Sequence, residues 1–506
     1  MMEFRIYVFN LRGNQRTSGE TSRREGGKIF GSGSRTPVAI TLLVKKPNHK
    51  GKAVIHYRDI GDYLSREEKL EIVAKSHNAL HNKMEWQTLQ PNEHADWLNQ
   101  RNDLFGNFIP LGDKDNKDNK QTIFVPYYSN GLKTNADVWM YNSRKEALAQ
   151  NMTIFSDTYN SEVERYCQSD KAIPFENFAD MSPQKIKWHS GIIPKAANGV
   201  HGYFDYKKIV IGLYRPYEKQ YAYFDAMFVQ RVAQIPKFFP TPLQNNLIIC
   251  VSGVGASKEF STIITDNIPD VQLQFNGQCF PLYYYEKRQF RQSTLFDSDK
   301  DEYIRRDALT DFILDRCRNS YGARVTKEDI FYYVYGLLHS PDYRAQFAAD
   351  LKKMLPRLPI VEKPADFWSF SKAGRELANL HLNYEDQPPC PAVTVTGAET
   401  GKFQVEKMRF PKKEDKSVIE YNAWIKLSGI PPEAYEYVVN SRSAIEWIME
   451  RYQIKVDKDS GIKNDPNDWG AEHGKPSYIL DLLQSIITVS LETRKIINGL
   501  PKLHFY

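Results

Sequence analysis

The run from Phe9 to Pro47, "FNLRGNQRTSGETSRREGGKIFGSGSRTPVAITLLVKKP", decides how the rest of the chain is read. Two apolar runs, Ile6 to Phe9 and Val38 to Val44, flank a stretch rich in Gly, Arg, Ser and Thr. Short runs of β-branched and aromatic residues bounded by Gly, Asn and Pro read as strands. Lys45, Lys46, Pro47 and Asn48 close the second one. A 506-residue chain therefore opens on two strands joined by a long loop, with almost nothing before them to pair with. From Arg12 to Arg35 six basic residues (Arg12, Arg16, Arg23, Arg24, Lys28, Arg35) stand against two acids, Glu20 and Glu25. Gly-rich backbone lets phosphates approach closely, and arginines fork onto them. The same composition also suits an ordinary solvated loop. Gly31-x-Gly33 lacks the third Gly and the strand-then-helix setting of a dinucleotide site, and no G-x-x-x-x-G-K-[ST] occurs, so neither ATP nor NAD binding is indicated.

Further along, Ser65 with Glu68 forms a capping box that starts a helix carrying Leu70, Ile72 and Val73. A turn-rich zone over residues 168–205 precedes a β-rich block with "KKIVIGLY" (207–214), "LIICVSGV" (247–254) and "QCFPLYYY" (278–285). The remainder reads as mainly helical. Thr326 with Asp329 caps one helix, Ser443 with Glu446 another, and a last long helix spans about Ser477 to Asn498.

Composition is that of a soluble globular protein, 26% charged, with a net charge of +6 that mildly favours a polyanionic partner. The five cysteines show no C-x-x-C and no ligand spacing, which argues for reduced thiols in a cytoplasmic protein. No signal peptide opens the chain and no apolar run suits a membrane span. "GDKDNKDNKQ" (112–121) superficially has the look of a calcium loop, but Lys117 takes the third ligand position. Catalytic candidates are lacking: nuclease carboxylates are not clustered, no Ser/His/Asp arrangement is visible, and His339 ends a helix, where a structural role fits best.

Basic residues interleaved with aromatics suit a nucleic-acid groove. "GLYRPYEKQYAYF" (212–224) sets Arg215, Lys219 and Gln220 among four tyrosines; "YYYEKRQFRQS" (283–293) repeats the mixture; residues 301–327 add Arg305, Arg306, Arg316, Arg318 and Arg324. Each alone is equally a solvated face with packed Tyr; together, in a basic chain, they favour DNA or RNA contact.

The opening run closely resembles the late strands of the methyltransferase in Type ISP restriction–modification enzymes. The resemblance continues in order through "IGDYLSREEKL", "SNGLKTNADVWMYN", "YRPYEKQYAYF", "FNGQCFPLYYYE", "IFYYVYGLLHSPDYRAQFAADLKKMLPRLP", "AGRELANLHLNYE" and "SAIEWIMERYQIKVDKDSGIKNDPNDW". Ala136 departs from it, where an Arg is expected. Such enzymes join a nuclease, a helicase-like ATPase, an adenine methyltransferase and a C-terminal target-recognition domain. The resemblance implies a mixed α+β fold: the last strands of a Rossmann-like methyltransferase sheet plus a helical part over residues 1–185, then a target-recognition domain over 186–506. It implies that the chain starts at the sixth strand of that sheet, since neither the Gly-rich cofactor motif nor the Asn-Pro-Pro-Tyr motif for a flipped adenine occurs. S-adenosylmethionine, ATP and Mg2+ would then serve the full-length enzyme, with no cofactor, metal or catalytic residue in this chain. The implied partners are double-stranded DNA and the missing N-terminal part, in cis or as a separate chain. Arg12, Asn14, Arg16, Arg23, Arg24 and Arg35 are the candidates for DNA backbone contact near the flipped base; Arg215, Lys219, Gln220, Arg318 and Arg324 are those of the recognition domain. The rival expectations are a stand-alone specificity subunit and an inactive remnant.

Overall fold

A computed structural model describes residues 4–16, 19–31, 33–45, 51–81, 84–114, 116, 119–256, 258–288, 302–412 and 414–505. The expected strand end at 46–48, Lys117 and the far half of the 283–293 segment lie outside them. Two compact units divide the chain: Met1–Gly106 with Ser257–Glu259 and Phe347–Lys353, and the rest.

The first unit holds β1 (Arg5–Arg12), α1 (Gly19–Glu25), β2 (Val38–Val44), β3 (Val54–Asp59), α2 (Arg66–Lys75) and β4 (Gln87–Leu89). Its sheet runs β2-β1-β3-β4, with β1 antiparallel to β2 and parallel to β3. Alternation along β1 puts Tyr7, Phe9 and Leu11 inside. Phe9 and Leu11 meet Ile60 and Met84, and Ile72, Val73 and Trp86 pack on that cluster. The capping box of α2 forms as expected: the Glu68 N–H donates to Ser65 Oγ at 3.2 Å, and the Ser65 N–H to the Glu68 carboxylate at 2.7 Å. Leu70, expected with Ile72 and Val73, turns outward. On β2, Ile40, Leu42, Leu43 and Val44 are all exposed, Leu43 by 62%.

The second unit is larger. Its elements include α3 (Lys145–Cys167), β5 (Ile209–Arg215), β6 (Glu218–Tyr223), β7 (Ile248–Val251), β8 (Thr262–Thr265), β9 (Gln278–Pro281), β10 (Tyr283–Lys287) and β11 (Tyr303–Asp307). Later come α4 (Asp311–Tyr321), α5 (Lys327–Leu337), α6 (Pro364–Leu382), β12 (Thr394–Thr396), β13 (Val418–Glu420), β14 (Lys426–Ser428), α7 (Ala444–Arg451), α8 (Asn467–Glu472) and α9 (Tyr478–Asn498). One sheet orders β8-β7-β9 with Ser129–Asn130 at its edge; another places β5 and β6 between Ile268–Pro269 and Tyr141–Asn142. Helices α5 and α6 cross with backbone touching backbone: a Cβ at Gly374 would stand 1.9 Å from the Tyr332 carbonyl oxygen, and one at Gly336 would stand 2.2 Å from that of Phe370. The fold is mixed α+β. The first unit ends at Gly106, and α3 buries Leu148, Met152, Phe155, Tyr159 and Val163 in the second unit's core. Among the described residues, no helix is long and apolar enough to cross a membrane.

Candidate nucleic-acid interface

The described residues of the basic loop after β1 are held by specific contacts. Arg12 ends the strand at φ +54° and is held by Asp59 at 2.7 Å and by Asp62. The Asn14 N–H donates to the Glu25 carboxylate at 2.9 Å, and the Gln15 amide to the Gly26 carbonyl at 2.8 Å. From α2, the fully buried Lys69 sends its ammonium to the carbonyls of Glu25 at 2.6 Å and Gly27 at 2.8 Å. Burial lowers its pKa, and those carbonyl bonds offset the lost water. Gly26 and Gly27 are required here: a Cβ on either would stand 2.1 Å from the Leu64 oxygen or 2.4 Å from the Arg66 nitrogen. The pinned loop presents Arg16, Arg23, Arg24 and Arg35 at the surface, with Arg23 and Arg24 in the last turn of α1, where cations suit the helix dipole. Asn14 is half-buried and Arg12 is engaged by its two acids. Sequence reading missed Lys69, although its spacing from Ile72 and Val73 places it on the buried face of α2.

The second group divides. Arg215 turns inward from the end of β5 to Asp270 at 2.7 Å and Asp137 at 3.5 Å, and its guanidinium lies 3.8 Å from the centre of the Tyr214 ring. Burial opposes its charge, and Asp270, Tyr214 and Asp137 outweigh it and raise the pKa. Burial pushes the Asp270 carboxyl up to about 7 against the pull of Arg215. Gln220 is 2% exposed; its amide donates to Glu218 at 2.6 Å and its oxygen accepts from Asn464 at 3.2 Å. Lys219 bridges to Glu385 at 2.7 Å and lies over Tyr384. The segment that read as a basic-aromatic groove is thus the β5–β6 hairpin, turned at Tyr217 (φ +61°), and its polar side chains hold the interior together. Gln220 and Arg215 offer no free edge to DNA.

Arg318 instead lines a cleft of about 420 Å³ together with Tyr283, Asp311 and Lys327. Arg318 Nε donates to the Val325 carbonyl at 3.0 Å, and Arg324 lies 4.6 Å from the Trp368 ring centre. Arg305 on β11 covers Tyr283 at 4.3 Å. Lys327 is held by Asp311 at 2.7 Å. These arginines are steadied by aromatic faces and one carbonyl, which orders them while leaving donors to spare.

A family model for the Type ISP C-terminal specificity domain matches residues 122–482. The chain belongs to that family. A solved structure of a nuclease-deletion mutant of the Type ISP restriction–modification enzyme LlaGI, in complex with a DNA substrate mimic, is 38% identical over 98% of this chain and 37% of its own, with a TM-score of 0.86. The ATP-dependent Type ISP enzyme LlaBIII bound to DNA is 36% identical over 100% of this chain and 31% of its own, with a TM-score of 0.88. The DrdV–DNA complex is 27% identical over 99% and 48%, with a TM-score of 0.80. This Type ISP chain therefore spans less than half the length of each of these three structures. No curated protein matches it.

Proposed function

We propose that this Type ISP chain recognises a specific duplex DNA sequence within a restriction–modification system and positions the duplex for adenine N6 methylation. The observation that carries the reading is the family match over 122–482, reinforced by similarity along nearly the whole chain to two Type ISP enzymes solved with DNA or its mimic. Arg16, Arg23, Arg24 and Arg35 are suited to the phosphate backbone, because a pinned loop spends little entropy on binding. Arg318 and Arg324 are the recognition-side candidates, and Arg305 lies over Tyr283 at the cleft that Arg318 lines. A bidentate Arg on a guanine edge contributes ~1–3 kcal/mol of discrimination.

The sheet of the first unit supports the finer reading as the end of a methyltransferase sheet. An edge strand with four exposed aliphatic side chains asks to be covered, and a catalytic sheet supplied in cis or by a separate chain would cover it. Flipping belongs to that part, since the adenine amino group is buried in the duplex stack. S-adenosylmethionine, ATP and Mg2+ belong on this reading to the larger enzyme; this chain's sequence contains neither methyltransferase motif, and no step is assigned to its residues. The same uncovered β2 favours, as a second reading, a specificity subunit docking on a separate cytoplasmic methyltransferase.

The test is a graft. Replacing the matching C-terminal part of a Type ISP enzyme with this chain and mapping methylated adenines should move methylation to a new, single sequence context. Methylation that stays at the old site, or scatters without a common sequence, contradicts specificity residing here.

A further inference from the structure

A second cleft, of about 530 Å³, lies between the turn joining β13 to β14 and helix α8. Trp424 stands on that turn and is 53% exposed, a large apolar plane left in water. The Lys402 ammonium lies 4.3 Å from its ring centre and has no carboxylate partner among the described residues. Across the cleft Asp465 is fully engaged: Lys463 bridges to it at 3.0 Å, and the Asn467 amide donates to it at 2.7 Å. Asn467 is spent as well, since it also donates to the Val405 carbonyl at 2.9 Å and accepts the Val405 N–H at 2.9 Å. Asp468 differs. Its carboxylate accepts no hydrogen bond among the described residues, and burial followed by the neighbouring Asp465 raises its pKa. The cleft thus sets one aromatic plane, one cation without a carboxylate partner and one carboxylate that accepts no hydrogen bond from the described residues around a single space.

A ligand matching this set is flat, donates N–H and carries negative charge. We propose that the cleft takes an unstacked nucleotide whose base bears an amino group, stacked on Trp424, with that amino group on Asp468 and the phosphate on Lys402. Base–aromatic stacking is tolerant of sequence, whereas an acceptor for an exocyclic amino group favours adenine, cytosine or guanine over thymine. Lys402, whose ammonium now lies over the ring, moves aside to the phosphate as the base stacks. The inference rests on the DNA-recognition reading and adds to it a place for a base outside the helix.

The experiment follows Trp emission of the full chain on titration with short single-stranded oligodeoxyadenylate, oligodeoxycytidylate and oligodeoxythymidylate, in wild type, Trp424→Leu and Asp468→Ala. In wild type, adenine and cytosine strands should quench and bind roughly tenfold tighter than the thymine strand. Trp424→Leu should lose the quench and weaken binding roughly tenfold; Asp468→Ala, which removes the acceptor, should keep the quench and lose the preference. Circular dichroism should show both variants folded, as expected for side chains at a surface cleft. Equal affinity for all three strands, a quench that survives in Trp424→Leu, or quenching only by an arginine-rich peptide overturns the proposal. A duplex carrying 2-aminopurine separates the sources: a change in its emission that depends on Trp424 means a base drawn from the duplex, and its absence with the single-strand preference intact means a base from an unpaired strand. Duplex binding by mobility shift is scored independently. Sequence-specific duplex binding without any Trp424 signal sinks this inference alone, and a Trp424-dependent single-strand preference without duplex binding sinks the recognition reading alone.

Discussion

Arg215→Met separates an internal role from a DNA contact. The side chain is 15% exposed, bridges to Asp270 at 2.7 Å and lies 3.8 Å from the Tyr214 ring centre. Methionine keeps most of the apolar stem and removes the charge, leaving Asp270, itself 3% exposed, with Tyr141 Oη at 3.1 Å and the Gln272 N–H at 2.8 Å. Breaking a buried pair by deleting one partner costs about 3–5 kcal/mol. The cost depends on pH in a fixed direction. Folding raises the Asp270 carboxyl from 3.8 to about 7, so the native state binds this proton more tightly than the unfolded state, and stability falls as pH rises through that window. Loss of the Arg215 pull raises the carboxyl further. The deficit of the variant is therefore largest at alkaline pH and shrinks on acidification, and adding Asp270→Asn to it recovers part of the loss. Guanidinium unfolding of the full chain at several pH values measures this. Wild-type stability at every pH, together with weaker DNA binding and a salt slope reduced by about 1, would show that Arg215 serves DNA and that the internal assignment is mistaken.

Three other outcomes are expected. Gly374→Ala should destabilise by about 3 kcal/mol, because the Tyr332 carbonyl cannot yield as a side chain would; helix propensity alone would give a gain of about 1 kcal/mol, so the sign of the shift in guanidinium midpoint decides. Lys69→Met should release the basic loop, with the Gly13 and Gly27 amides, now bonded to Glu25 and Leu64, exchanging with deuterium roughly tenfold faster or more; unchanged exchange would mean the loop does not depend on it. Arg16→Gln and Arg35→Gln should each weaken DNA binding alike for target and unrelated sequences and lower the salt slope by about 1, read by anisotropy across a salt series; loss confined to the target would make them base readers.

What was legible in the sequence was local. Three capping boxes, at Ser65, Thr326 and Ser443, all form, because each needs only residues three apart. The strand pair β1 and β2 follows from its apolar runs, and the last helix begins at Tyr478 as its pattern requires. What was not legible depended on distant partners. β6 carries Glu218, Lys219 and Gln220, which read as a solvated or DNA-facing run. Arg451, Glu385 and Asn464, far along the chain, satisfy them inside the fold. Helix α3 likewise finds its core on strands that come later in the chain. At the candidate interface, the exposed arginines of the opening loop were visible as composition, while Lys69, which fixes their backbone, required knowing which carbonyls it meets.

The most direct measurement of the central claim is selection from a random duplex library with this chain alone at physiological salt, followed by sequencing of the bound fraction. The account predicts enrichment of one defined sequence, lost when competing duplex of that sequence is added. Binding with no sequence enriched over the input, or no binding at all, would contradict the assignment of target recognition to this chain.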